Sequence, residues 1–119
     1  MGFYNNSGFV TDTLAKELGA LVIFGEHRYY GKSMPFNESS YFKENLKYLT
    51  IEQIMTDYVK MIKFIKNKYS LQDSPVYSVG GSYGGMLAVW LRMKYPKTFD
   101  GALASSAPIL HFKGSVNPN

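Results

Sequence analysis

The 119-residue sequence has no cysteine and only two histidines, His27 and His111. A Cys/His zinc site, a haem-attachment motif or a disulfide framework therefore cannot be built from it. It holds nothing near the roughly 18 consecutive apolar residues that a membrane-spanning helix needs. The opening residues Met1 to Asn6 lack a basic stretch followed by an apolar one, so no signal peptide is present as written. Asn6 stands where a myristoylation motif requires Ser or Thr. Repeats, low-complexity tracts and long linkers are missing too. Chemistry must therefore come from hydroxyls, carboxylates and two imidazoles, while zero cysteines leave the redox compartment open.

What is present is the make-up of one globular unit, with 45% apolar and 18% charged residues, which excludes disorder. The net charge of +4 admits an anionic partner. The basic residues are spread along the chain, however, and no basic-aromatic reader motif is visible, so no nucleic-acid partner is expected.

Helical and strand patterns alternate, which predicts an α/β unit with a mainly parallel sheet of three strands and flanking helices. Val10, Leu14 and Leu18 recur at four-residue spacing before Gly19, the pattern of a short amphipathic helix over 7–18 with a glycine stop. The apolar run from Ala20 to Phe24 reads as a strand buried on both faces. Thr50 and Gln53 fit a capping box, so a helix should start there. Its inner stripe is Ile51, Ile54, Met55, Tyr58, Ile62, Ile65 and Tyr69, which leaves Asp57, Lys60 and Lys63 on a solvated face. Val76 to Val79 and Gly101 to Ser105 supply the other two strand candidates. Trp90 and the methionines read as helix-face core.

The chemistry lies between the second strand and a helix. Gly80, Gly81, Ser82, Tyr83, Gly84 and Gly85 contain G-x-S-x-G, and the helical run from Met86 to Tyr95 ends at Pro96. In a nucleophile elbow the serine occupies a sharp, strained strand-to-helix turn, and side chains two residues either side would strike neighbouring backbone. Gly80 and Gly84 are expected to provide that clearance. The turn would lift the Ser82 hydroxyl clear of the sheet, and the Tyr83 N–H would serve an oxyanion hole. A packing turn with no chemistry is the plain alternative, but strand before, helix after and glycine at four of six positions favour the elbow. A phosphate-binding loop would need Lys then Ser or Thr, where Met86 and Leu87 stand.

Serine needs a base held by a carboxylate, in the order Ser, acid, His for this type of elbow. After Ser82 the sequence offers only Asp100 and His111. Asp100 precedes a strand and so belongs at the sheet end opposite the elbow. His111 lies at the correct edge but has no oriented acid before it, and His27 precedes the serine. The base and acid are therefore expected to lie outside this chain.

These residues carry a resemblance. Asn6-Ser7-Gly8-Phe9, the stretch Glu26-His27-Arg28-Tyr29-Tyr30-Gly31-Lys32-Ser33, the elbow, Arg92 to Pro96 and Ser106 to Ile109 together resemble the Pro-X carboxypeptidase and dipeptidyl peptidase II group of serine peptidases. The match runs in order over nearly the whole chain. It implies an α/β-hydrolase domain with a helical cap insertion, cleavage of peptides beside proline, no metal or cofactor, and a lysosomal or secreted setting. It also implies a peptide substrate rather than nucleic acid or membrane, and admits a homodimer of a full-length protein. Ser82 matches the family nucleophile, whereas its acid and histidine have no counterpart here. Residues 1–119 are thus expected to be an incomplete hydrolase domain, inactive and unstable alone, whose Ala20 to Phe24 strand lacks a neighbour. An esterase, a lipase or a catalytically dead binding protein remain alternatives. Within Glu26-His27-Arg28, a buried ion-pair cluster bracing the loop is expected ahead of substrate contact. Sequons at Asn5 and Asn37 suit a glycoprotein, with Asn37 the better acceptor.

Overall fold

A computed structural model describes residues 7–110. The chain begins with a π-helical stretch, Phe9–Leu14, that continues as α1, Ala15–Glu17. Gly19 stops it at φ +59°, where the Gly19 amide donates to the Lys16 carbonyl at 3.3 Å and the Ala20 amide to the Ala15 carbonyl at 2.8 Å. This is the paired closure that a left-handed glycine allows. The buried residues are Thr11 and Ala15, and Leu18 is 67% exposed. A π turn holds more residues than an α turn, so the four-residue stripe drifts off the covered side.

The sequence reading of three strands is corrected to two. No strand forms over 20–24, where Leu21, Val22 and Phe24 are exposed and Ile23 packs against the core. A strand exists only as a member of a ladder, and among the described residues the sheet contains β1, Tyr77–Gly81, and β2, Gly101–Ser105, alone. These two run parallel, from Tyr77 opposite Gly101 to Gly81 opposite Ser105. A loop with short 3₁₀ turns at Asn37–Tyr41 and Leu46–Tyr48 leads to α2, Ile51–Tyr69. The Thr50 hydroxyl accepts from the Gln53 amide at 3.3 Å, so the capping half of the expected box is present.

The helix α3, Tyr83–Lys94, covers one face of the sheet and is tied to it where the Ser78 hydroxyl donates to the Ala88 carbonyl at 2.9 Å. The core joins Ile54, Met55, Val59 and Ile62 of α2 to Leu87 and Leu91 of α3 and to Phe99. Val59 joins the expected stripe, while Ile51 and Tyr69 at its ends are exposed. Met93 is 72% exposed, so the methionines are not uniformly core. Tyr77, Val79 and Leu103, on the sheet face away from α3, are also exposed.

Candidate active site

Ser82 links β1 to α3 at φ 51° and ψ −122°, a left-handed backbone that a non-glycine residue adopts at a cost of about 1–3 kcal/mol. Both neighbouring elements hold it there. Its amide donates to the Ser105 carbonyl at 2.9 Å, extending the parallel ladder by one bond, and its carbonyl accepts from the Met86 amide at 3.1 Å, opening the helix. The residue is exposed, so the hydroxyl stands at the carboxyl end of the strand in reach of solvent. Tyr83 is the first residue of α3, and N–H groups at that position have no acceptor within the helix.

The clearance differs in part from the sequence reading. A Cβ on Gly80 would lie 2.3 Å from the carbonyl carbon and oxygen of Gly84, a distance no side chain tolerates. A Cβ on Gly84 itself would meet nothing within 4 Å. The second crowded position is Gly85, where a Cβ would stand 2.9 Å from the Ala107 Cβ and 3.0 Å from the Gly80 carbonyl oxygen. The turn is tight because the backbones of residues 80 and 84–85 touch, and at Gly84 the Cα–H that a side chain would replace points away from that contact.

Beside the elbow lies the loop built from Glu26 to Ser33. Tyr29 is its anchor, 1% exposed, with its hydroxyl donating to the Asn45 carbonyl and its own carbonyl accepting from the Tyr41 hydroxyl at 2.6 Å. Glu26 clamps the turn, accepting from the Ser33 hydroxyl at 2.7 Å and the Lys32 amide at 3.0 Å. The Ser33 bond holds the Glu26 carboxyl below its usual range against a smaller opposing effect of desolvation. Gly31 lies at φ +54°, where a side chain would be strained, and a Cβ there would also push the Glu26 carboxylate out of its clamp.

Arg28 ties this loop to α2. Its Nε and Nη2 donate to the two oxygens of Asp57 at 2.6 and 2.7 Å, and Nη1 donates to the Tyr48 carbonyl at 3.1 Å. The Asp57 hydrogen bond raises the Arg28 guanidinium further above its ordinary value. The expected bracing pair is therefore present but not buried, since the two side chains are 18% and 41% exposed. Solvent screening limits such a pair to about 1 kcal/mol. Asp57, read from sequence as a solvated residue, was missed as the partner; a lone acid among the lysines of that face was the available signal.

His27 turns the other way. Its Nε2 lies 3.1 Å from the Tyr83 hydroxyl, its Nδ1 2.5 Å from the Arg28 carbonyl oxygen, and its ring stands edge-on to Tyr30 at 4.8 Å. Burial, with a smaller push from Tyr30, raises the Tyr83 phenol above its ordinary value. Burial likewise raises Tyr58, aided by Tyr83 and Asp57.

Asp100 is at the far end of the sheet. Its carboxylate accepts from the Val76 amide and its amide donates to the Val76 carbonyl, both at 2.8 Å, which caps the start of the ladder. His111 and Asn5 lie outside the described residues. Asn37 is exposed at φ 51° in the polar loop, and the Ser39 hydroxyl of its sequon donates to the Phe36 carbonyl at 2.9 Å. A groove of about 410 Å³ lined by Ile51, Glu52, Met55, Trp90, Met93 and Lys94 opens between α2 and α3, and none of the elbow residues lines it. Among the described residues no group of three or more acidic or histidine side chains could hold a metal ion. None of their helices is long and apolar enough to cross a membrane.

The family described as serine carboxypeptidase S28 matches residues 4–117. Over 117 residues the chain is 50% identical to a lysosomal Pro-X carboxypeptidase of Homo sapiens, covering 96% of this chain and 23% of that protein. It is 48% identical over 119 residues to a prolyl carboxy peptidase like protein 5 of Caenorhabditis elegans, covering 98% of this chain and 23% of that protein. A putative serine protease of the same worm is 41% identical over 124 residues, covering 98% of this chain and 22% of that protein. The chain thus spans about a quarter of the length of the curated relatives it matches.

Proposed function

The chain belongs to the serine carboxypeptidase S28 family, and from that premise we propose that it forms the nucleophile segment of a serine exopeptidase that cleaves peptides beside proline. Ser82 attacks the scissile carbonyl and forms an acyl-enzyme, with the Tyr83 N–H donating to the developing oxyanion. The observation that carries this reading is the strained φ of 51° at Ser82, held by a ladder bond on one side and the start of a helix on the other. Positive φ alone does not single Ser82 out, since Tyr29, Asn37, Ser70 and Ser106 share it; its place between the end of β1 and the first turn of α3, within G-x-S-x-G, does.

The fold is then part of an α/β-hydrolase domain. The acid and the histidine of the triad come from residues outside this chain, so the 119 residues alone are inactive. The lysosomal relatives support a lysosomal or secreted setting, and Asn37, exposed in the polar loop, is a glycan acceptor.

The test is labelling of a full-length polypeptide carrying this segment with a fluorophosphonate probe. Wild-type protein should label and Ser82→Ala should not, at an unchanged melting temperature. Labelling that survives the substitution would overturn the assignment.

A further inference from the structure

The ring of Tyr83 has a partner that its backbone role does not require. His27, 56 residues earlier in the chain, places Nε2 3.1 Å from the Tyr83 hydroxyl. Its other nitrogen faces the Arg28 carbonyl oxygen at 2.5 Å. A carbonyl oxygen only accepts, so Nδ1 carries the proton and Nε2 of the neutral ring is the acceptor. The hydrogen bond therefore runs from the Tyr83 O–H to His27 Nε2. Burial that raises the Tyr83 phenol keeps that O–H in place as the donor.

The clamp is itself braced. Tyr30 stands edge-on to the imidazole, the Arg28 fork grips Asp57 on α2, and buried Tyr29 fixes the loop behind. Tyr83 is the first residue of α3 and follows a residue with strained backbone angles. A side chain held at that position limits how far the first residue of the helix, with its N–H, can shift.

We infer that His27 is a positioning residue that, by accepting the Tyr83 phenol hydrogen bond, aims the Tyr83 backbone N–H at the oxyanion. This inference rests on the reading of Ser82 and Tyr83 given above. Its expected signature is a fall in kcat with little change in KM, because an oxyanion donor acts on the transition state and not on ground-state binding.

The test uses full-length enzyme and a proline-containing peptide substrate. Tyr83→Phe keeps the N–H and loses only the hydroxyl, and it should lower kcat about tenfold to a hundredfold, as small misplacements of catalytic groups do. His27→Ala should match that loss. The double variant should be no worse than either alone, since both changes break one interaction. His27→Gln, whose amide oxygen can accept the same bond, should recover most of the rate. A Tyr83→Phe enzyme with wild-type kcat, or losses that multiply in the double variant, would overturn the inference while leaving the nucleophile assignment intact. Should His27→Ala fail to fold, Tyr83→Phe and His27→Gln decide the matter by themselves. Fluorophosphonate labelling that persists in Ser82→Ala would overturn the underlying reading and this inference with it.

Discussion

Gly80 faces the backbone of Gly84 so closely that a methyl group on Gly80 would sit 2.3 Å from the Gly84 carbonyl carbon and oxygen. This contact sets the sharpness of the turn between β1 and α3, and so the height at which Ser82 stands above the sheet. Backbone atoms cannot swing aside as a flexible side chain can.

A graded response to alanine therefore follows around the elbow. Gly80→Ala and Gly85→Ala should each destabilise the protein by about 1–3 kcal/mol, the usual cost of overpacking a close contact. Gly84→Ala should melt no lower than wild type, because its Cβ meets nothing within 4 Å and alanine favours a helix. Thermal melts of the three variants in a full-length background check the order. A Gly84→Ala melt as low as that of Gly80→Ala would refute it.

The Glu26 clamp should loosen in acid. Its folded carboxyl titrates below the usual range, chiefly because of the Ser33 hydrogen bond. The unfolded state therefore binds this proton at higher pH than the folded state does. The clamp's contribution is full above the ordinary carboxylate value and is lost as pH falls through the depressed folded one. Hydrogen exchange of the peptide covering 26–33 should quicken in that acid window relative to the rest of the fold. Glu26→Gln should exchange fast at neutral pH as well and lose the acid step.

The isolated 119 residues should aggregate. Tyr77, Val79 and Leu103 expose one face of the sheet, and the apolar segment over 20–24 forms no strand. Exposed apolar faces and unladdered strand-forming segments are templates for self-association. Size-exclusion chromatography of the purified chain should show oligomers at micromolar concentration. A monomer with a cooperative, reversible melt would contradict this.

The relation between Tyr83 and His27 shows where sequence reading reaches its limit. The spacing of Gly80, Ser82 and Gly84 announces a turn, yet it does not say which glycine is crowded. At Gly85 the crowding depends on the path of the chain at Ser105 and Ala107, about twenty residues on in sequence. The phenol–imidazole bond spans 56 residues, and the Arg28–Asp57 fork spans 29. The first leaves no local signature, and the second leaves only a lone acid, Asp57, among the lysines of one helix face.

The sequence by itself determined the elements whose causes are local. The helix beginning after Thr50, the stop at Gly19, the strand at 101–105 and the strand-turn-helix around Ser82 all follow from caps, glycine and apolar periodicity within a few residues. The motif Glu26 to Ser33, with the elbow, also determined the family. Only the tertiary structure decided that 20–24 is not a strand, that Gly85 rather than Gly84 is crowded, and that His27 belongs to the elbow. A ladder, a close backbone approach and a side-chain hydrogen bond each need a second segment at a particular place in space. No pattern within one segment specifies where that second segment will be.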